Sequence, residues 1–234
     1  MRKFNEIDEI KDGAGKRVAR DFLQQLLKGF AKESQKHIDY FDYNIPPFGY
    51  REKQLHTVIA PAISKISQSF LMECPVNREW SKKKKNLKDR MGWLDYWCRY
   101  RDYDLFIELK HSYFQYDKSV RKETQERWLE SMNQLSLLKA EATDYGQYCK
   151  GVISIALEVV TIYDDIKIKR VIPSHNKSVL EDMQEKCFSK LDPKPDWSGM
   201  WCLNRKSVER TYFEYEKSTE VYPAVIMLAK VNLV

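Results

Sequence analysis

Several features that would quickly assign a function are missing from this sequence. None of its five cysteines form a CxxC pair, which argues against a zinc knuckle, and their odd number argues against a disulfide framework. No glycine-rich phosphate loop follows a predicted strand, so neither a P-loop enzyme nor a Rossmann domain is expected. No apolar run is as long as a membrane span, and the N-terminal MRKFNEIDEI lacks the apolar core of a signal peptide. We therefore expect a cytoplasmic protein with reduced cysteines.

The composition is that of a globular protein of ordinary domain size. The chain has 234 residues, of which 43% are hydrophobic, and a formal net charge of +6. This charge is modest, so its distribution is more informative than its total. A basic segment directly precedes a predicted strand, where it forms either a solvated loop or a contact surface for phosphates. Its candidate nucleic-acid-binding residues are Lys82, Lys83, Lys84, Lys85 and Arg90.

The first part of the chain is dominated by one helical pattern. Apolar residues recur at intervals of three and four from Lys16 to Asp39, which predicts an amphipathic helix. Pro46 and Pro47 then break the chain, because a proline pair cannot continue a helix. We expect residues 1–45 to form an N-terminal helical extension and residues 46–234 to form the main domain.

The rest of the chain alternates between helical and extended patterns. A second helix is predicted over Tyr50–Phe70, with a kink at Pro61. The further predictions are strands at Cys74–Trp80, Gly151–Tyr163, Ser207–Tyr215 and Val221–Lys230, helices at Ser119–Ala142 and Asn176–Ser189, and an aromatic loop at Trp197–Trp201. This alternation predicts an α/β fold with three layers, in which helices cover both faces of a mixed central sheet.

Residues 92–111, GWLDYWCRYRDYDLFIELKH, are the most informative segment and predict a β-hairpin. A two-residue turn at Arg101-Asp102 sets Asp95 opposite Glu108. A turn one residue later sets Asp95 opposite Lys110, and a three-residue turn moves Asp95 to the other face of the hairpin. We favour the first alternative, because it collects the apolar residues on one face. These are Leu94, Tyr96, Cys98, Tyr100, Leu105, Ile107 and Leu109.

Under this alternative two carboxylates and a lysine share the second face. Glu108 and Lys110 are two residues apart, so their side chains point the same way along a strand. A polar hairpin face is often only a solvated surface with weak cross-strand ion pairs. Trp93, Trp97 and Phe106 lie on this face, however, so we expect it to be partly covered. Close carboxylates in a covered place repel each other unless a cation lies between them, which predicts a divalent metal ion.

At this point the segment resembles the PD-(D/E)XK nuclease superfamily, which has the restriction-endonuclease-like fold. Asp95 is followed, after twelve intervening residues, by Glu108-Leu109-Lys110 on the next strand. Glu52 occupies the place of a glutamate that many members carry on the first helix. Leu94 stands where the family's name has proline. Some members add a glutamine and a tyrosine four residues apart, but here Gln134 is followed at that spacing by Leu138.

The resemblance implies a fold, a cofactor and roles for these residues. The core would run helix, three strands, helix, strand between residues 50 and 163. Mg²⁺, with Mn²⁺ as a substitute, would be held by Asp95, Glu108 and the Leu109 carbonyl. Lys110 would position the attacking water, and Glu52 would support the metal site. The substrate would be DNA, in a prokaryotic restriction, defence or repair setting, with a homodimer or a defence-system protein as the partner.

Three other interpretations remain compatible with the sequence. The chain could be a nuclease-fold protein that has lost cleavage and binds nucleic acid or protein, although such proteins usually lose one of the three site residues. It could be a nuclease for RNA, since RNA has the same phosphate chemistry as DNA. It could also be an interaction module in which the hairpin acids are only solvated.

Overall fold

The architecture is a mixed sheet between two layers of helices, as the sequence predicts. The computed structural model describes residues 3–11, 13–40, 46–77, 91–138, 149–166, 175–211, 213–214 and 219–233. Within these ranges the strands are β1 (Lys3–Asp8), β2 (Ser69–Asn77), β3 (Met91–Tyr100), β4 (Tyr103–Gln115), β5 (Val152–Ile166), β6 (Trp197–Cys202), β7 (Phe213–Glu214) and β8 (Thr219–Leu233). The helices are α1 (Ala14–Tyr40), α2 (Glu52–Ile66), α3 (Lys122–Ser136), α4 (Lys177–Lys190) and α5 (Arg205–Arg210).

The strands lie in the order β1-β6-β8-β5-β4-β3-β2, and β7 pairs with β8. Strands β4 and β5 run parallel, whereas the other described pairs are antiparallel. A parallel pair needs a crossover connection, and α3 lies in the connection between β4 and β5. The order α2-β2-β3-β4-α3-β5 is the helix, three strands, helix, strand arrangement that was expected.

The two helical layers cover opposite faces of the sheet. Helices α1 and α2 bury their apolar stripes against one face, where they contact Leu105, Ile107 and Leu109 of β4. Helices α3 and α4 cover the other face, where Trp128 of α3 and Met183 of α4 belong to one cluster. A strand between two helical layers is buried on both sides, so β4 and β5 have no solvated face.

Residues 3–40 are part of this same sheet and core. β1 pairs with β6 over its whole length, although no strand was predicted there. α1 was predicted almost to the residue, and its buried stripe includes Phe22, Leu26 and Phe30. Pro61 lies inside α2, which continues through it to Ile66.

The structure corrects two predictions of secondary structure, one throughout and one in part. The predicted loop at Trp197–Trp201 is strand β6, and both tryptophans are buried, so the aromatic residues serve the core. Within the predicted strand at Ser207–Tyr215, Phe213–Glu214 form strand β7, but residues 207–210 belong to helix α5. Asn204 caps this helix by accepting a hydrogen bond from the Ser207 N–H at 2.9 Å. Among the described residues, no helix is both long enough and apolar enough to span a membrane.

Candidate active site

The hairpin that carries the candidate residues has its turn at Arg101-Asp102, the position favoured from the sequence. Tyr100 pairs with Tyr103, which leaves Arg101 and Asp102 as a two-residue turn. Both turn residues have positive φ angles, of 50° and 64°, which are the values that a type I′ turn requires. This turn fixes the register of every pair that follows along β3 and β4.

Strands β3 and β4 separate at the candidate site. Their pairing extends from the turn to Tyr96 and Ile107 and includes no pair beyond them. Asp95 is the next residue, and one of its carboxylate oxygens accepts a hydrogen bond from the Leu109 N–H at 2.7 Å. The Asp95 side chain therefore accepts the hydrogen bond that, in a regular ladder, a backbone carbonyl of the partner strand accepts. This arrangement opens a gap in the sheet and places a carboxylate in it.

Lys110 and Glu52 meet at this gap. Lys110 is 6% exposed, and its Nζ lies 4.0 Å from Oε1 of Glu52, a residue of the first turn of α2. Burial raises the pKa of Glu52, the Asp95 charge raises it further, and the Lys110 charge lowers it. Glu52, Asp95 and Lys110 therefore act on one another electrostatically, although they come from three different elements.

Glu108 lies on the same strand, two residues before Lys110, and is 1% exposed. The sequence placed Leu94 on the apolar face opposite Glu108, and this assignment is wrong. Leu94 belongs to the cluster that contains Phe106, whereas Tyr96 belongs to the cluster of α1 and α2. Leu94 and Tyr96 are two residues apart and would share a face of a regular strand, but their side chains lie on opposite faces of the sheet. The regular alternation of side chains along β3 is therefore interrupted at Asp95, where β3 stops pairing with β4.

The donor set at the gap suits a hard cation. In a strand ladder the N–H and C=O of one residue point to the same neighbour, so the Leu109 carbonyl lies on the side of Asp95. Carboxylate and carbonyl oxygens are the ligands that Mg²⁺ takes, and one or two carboxylates with waters are sufficient. Within the described ranges, no three His, Cys, Asp or Glu side chains are grouped closely enough to form a metal centre of protein ligands alone.

Glu158 is the buried acid that the sequence interpretation did not single out. It is fully buried on β5, directly beside Lys110 in the parallel register. One of its oxygens accepts a hydrogen bond from the Ser112 hydroxyl at 2.6 Å, and the other has no hydrogen-bond partner among the described residues. Burial raises the pKa of Glu158 to about 8. The available signal was a single glutamate within the apolar run GVISIALEVVTIY.

Two further groups belong to the surroundings of the site. His56, one turn after Glu52 on α2, makes a short hydrogen bond to the Tyr96 hydroxyl. Arg127 of α3 forms an ion pair with Glu130 at 3.2 Å, and its charge lowers the pKa of both Glu52 and Glu158. Neither was assigned a role from the sequence, because the contacts join residues that are distant along the chain.

The remaining candidates from the sequence are the basic segment and Gln134. Lys82, Lys83, Lys84, Lys85 and Arg90 lie outside the described residues. Gln134 lines an open groove of about 630 Å³ between α3 and the start of β3. No protein-family model, curated protein or solved structure matches this chain.

Proposed function

We propose that this protein is a Mg²⁺-dependent nuclease of the PD-(D/E)XK type that hydrolyses phosphodiester bonds in DNA. The observation that carries the proposal is the meeting of Glu52, Asp95 and Lys110 at the gap between β3 and β4. A restriction, defence or repair setting in the cytoplasm of a prokaryote is part of the same proposal. The order of elements from α2 to β5 supports it.

Each residue has a chemical task under this proposal. Asp95, Glu108 and the Leu109 carbonyl would hold Mg²⁺, and Glu52 would orient its waters. The ion would lower the pKa of a bound water and neutralise charge on the phosphate. Lys110 donates hydrogen bonds to the attacking water and to the phosphate oxygens as their charge grows. The bond between Asp95 and the Leu109 N–H fixes two of the oxygen donors relative to each other.

The buried position of Lys110 strengthens this role. An ammonium group that is almost excluded from water acts through a lower effective dielectric than a surface lysine does, so its effect on a nearby phosphate is larger. Its strand, β4, lies between β3 and β5 in the sheet, and the Glu52 carboxylate lies near its Nζ. The charged group is thereby directed to the gap before substrate arrives.

The test is cleavage of supercoiled plasmid, single-stranded DNA and single-stranded RNA with Mg²⁺, with Mn²⁺ and with EDTA. Lys110→Ala is the inactivating variant. Lys150→Ala is the matched control, because Lys150 is exposed and pairs with Asp102 at the turn of the same hairpin. We expect metal-dependent cleavage that Lys110→Ala abolishes and Lys150→Ala preserves.

The other outcomes are equally informative. Cleavage of RNA alone would replace DNA as the substrate. No cleavage by the wild type, together with calorimetric Mg²⁺ binding that does not depend on Asp95 and Glu108, would reject the nuclease. Binding of DNA without cleavage would then favour the nucleic-acid-binding module.

A further inference from the structure

Three side chains from the centre of the sheet hold the backbone that leads into α2. The Thr161 hydroxyl of β5 donates a hydrogen bond to the Phe48 carbonyl at 2.6 Å. The Tyr113 hydroxyl of β4 lies 2.5 Å from the Tyr50 carbonyl and 3.3 Å from the Gly49 carbonyl. Tyr113 and Thr161 are direct partners in the parallel register of β4 and β5. Two adjacent strands therefore contact three successive backbone carbonyls of the segment before Glu52.

His111 completes this group from a buried position. Its Nε2 lies 3.0 Å from the Thr161 hydroxyl oxygen, and its ring lies 4.6 Å from the Tyr113 ring, centre to centre. Since the Thr161 hydroxyl proton is directed to the Phe48 carbonyl, the Thr161 oxygen accepts from His111. The Nε2 atom of His111 therefore donates this hydrogen bond, which fixes the direction of the Thr161 hydroxyl.

The segment that they hold leads directly to a residue of the active site. Residues 47–49 form one 3-10 turn, and α2 begins at Glu52, three residues later. The N-cap of α2, Arg51, makes no side-chain capping bond, so the start of this helix depends on other contacts. Phe48 is fully buried and packs against Trp201, with ring centres 5.9 Å apart, which fixes the turn from its other side.

We infer that His111, Thr161 and Tyr113 are positioning residues that act through residues 48–50 to hold Glu52 at the active site beside Lys110. The inference rests on the proposed function for the role of Glu52, but not for the structural connection itself. Positioning of this kind matters because a displacement of about 1 Å at a reacting group can cost about 100-fold in rate.

The test is Thr161→Val, which keeps the shape of the side chain and removes the hydroxyl. We expect Thr161→Val to raise the Mg²⁺ concentration for half-maximal cleavage or lower the rate by about 10-fold to 100-fold, the usual range for outer-shell partners of a metal site. Thr161→Ser retains the hydroxyl and should restore most of the activity. Thr124→Val is the matched control, because Thr124 is buried on α3 and its hydroxyl has no hydrogen-bond partner in the part of the chain that the structure describes.

A double-mutant cycle separates positioning from a general loss of stability. If Thr161 acts through Glu52, Thr161→Val causes no further loss in a Glu52→Gln background. Equal losses in both backgrounds, or an effect of Thr124→Val as large as that of Thr161→Val, would overturn the inference.

Hydrogen exchange tests the connection without any activity. Thr161→Val should speed exchange of the backbone amides from Tyr50 to Leu55 while leaving the amides of the last turn of α2 unchanged. Unchanged exchange at Tyr50 to Leu55 rejects the positioning role. Faster exchange in Thr161→Val retains the positioning role even if the wild type is inactive and its Mg²⁺ binding does not depend on Asp95 and Glu108, the result that rejects the nuclease proposal.

Discussion

Strands β4 and β8 occupy comparable places in the sheet and have very different side chains. Each lies between two other strands, and both are buried along most of their length. The buried centre of β8 is apolar, from Ala224 to Ala229, whereas β4 buries two acids, a lysine, a histidine and a serine. Burying a charge costs several kcal/mol unless it is well paired. Stability alone explains the composition of β8, but it does not explain that of β4, so the difference points to a functional requirement in β4.

The sharpest way to test this comparison is to remove the charge from β4 while keeping its volume. We expect Lys110→Met to lower the cleavage rate by about 10²-fold to 10³-fold, as removal of a preorganised charge stabiliser does. The free energy of unfolding should change by no more than about 1 kcal/mol, because the contact between Lys110 and Glu52 is long, at 4.0 Å, and water reaches the partly exposed Glu52 carboxylate that loses its partner. Cleavage assays and urea titrations measure the two effects. If Lys110→Met loses stability and activity in parallel, the buried lysine of β4 serves stability as the residues of β8 do, and the contrast between the two strands fails.

A substitution in β8 should have the opposite effect, with a loss of stability and no loss of activity. Met227 is fully buried among the residues of α1 and α2, so Met227→Ala should destabilise the protein by about 2 to 5 kcal/mol. The folded fraction should cleave at the wild-type rate, because Met227 is not part of the candidate site. Met227→Leu is the control for volume and should cost less than about 1.5 kcal/mol. A large fall in the cleavage rate of folded Met227→Ala would contradict this prediction, because it would mean that β8 contributes to activity as well as to stability.

Glu158 provides a prediction on the pH dependence of stability. Its pKa is raised from 4.5 to about 8, so between these values the folded protein keeps a proton that the unfolded chain loses. The stability that this proton provides is therefore complete below about pH 4.5 and is lost as the pH rises to about 8, with a slope of up to about 1.4 kcal/mol per pH unit. Glu158→Gln should gain stability relative to the wild type across this range in urea titrations at pH 5, 6.5 and 8.

A second buried group, His111, makes the free energy of unfolding depend on pH in the opposite direction. Comparing the wild type with Glu158→Gln cancels this contribution. Burial lowers the pKa of His111 from 6.5 to about 4, so its contribution to stability rises with pH between these values. Both the wild type and Glu158→Gln contain His111, and the difference between them reports Glu158 alone. Glu130→Gln on the exposed side of α3 is the control. Parallel curves for Glu158→Gln and wild type would contradict the prediction.

The smallest expected effect concerns the interaction between two acids of the site. The charge of Asp95 raises the pKa of Glu52, so Asp95→Asn should lower that pKa in the metal-free protein. The asparagine retains an oxygen that accepts from the Leu109 N–H, so the gap in the sheet should persist. Carbon-detected NMR titration of the glutamate carboxylates measures the shift. An unchanged pKa would mean that the two carboxylates are too far apart to share a cation.

The fold was more accessible from the sequence than the site. Helix α1 and the turn at Arg101-Asp102 follow from local patterns, since an apolar stripe and a register that sorts side chains by face leave few alternatives. Helix α5 was mistaken for a strand because six residues carry little periodicity. Glu158 and Thr161 could not be assigned, because their roles depend on residues more than forty positions away along the chain, Ser112 and Phe48.

Among the described strands, β2 is the last one on the side of the candidate active site, and its sequence limits how two copies of the protein can associate. An open strand edge invites a second strand to pair with it. On β2 this is disfavoured, because Pro75 has no N–H to donate and Glu73 adopts a left-handed backbone, with φ of 51°. A homodimer that continues the sheet across β2 is therefore disfavoured. Under the proposed function, two copies that cut opposite strands of a duplex would therefore meet through a surface other than the β2 edge.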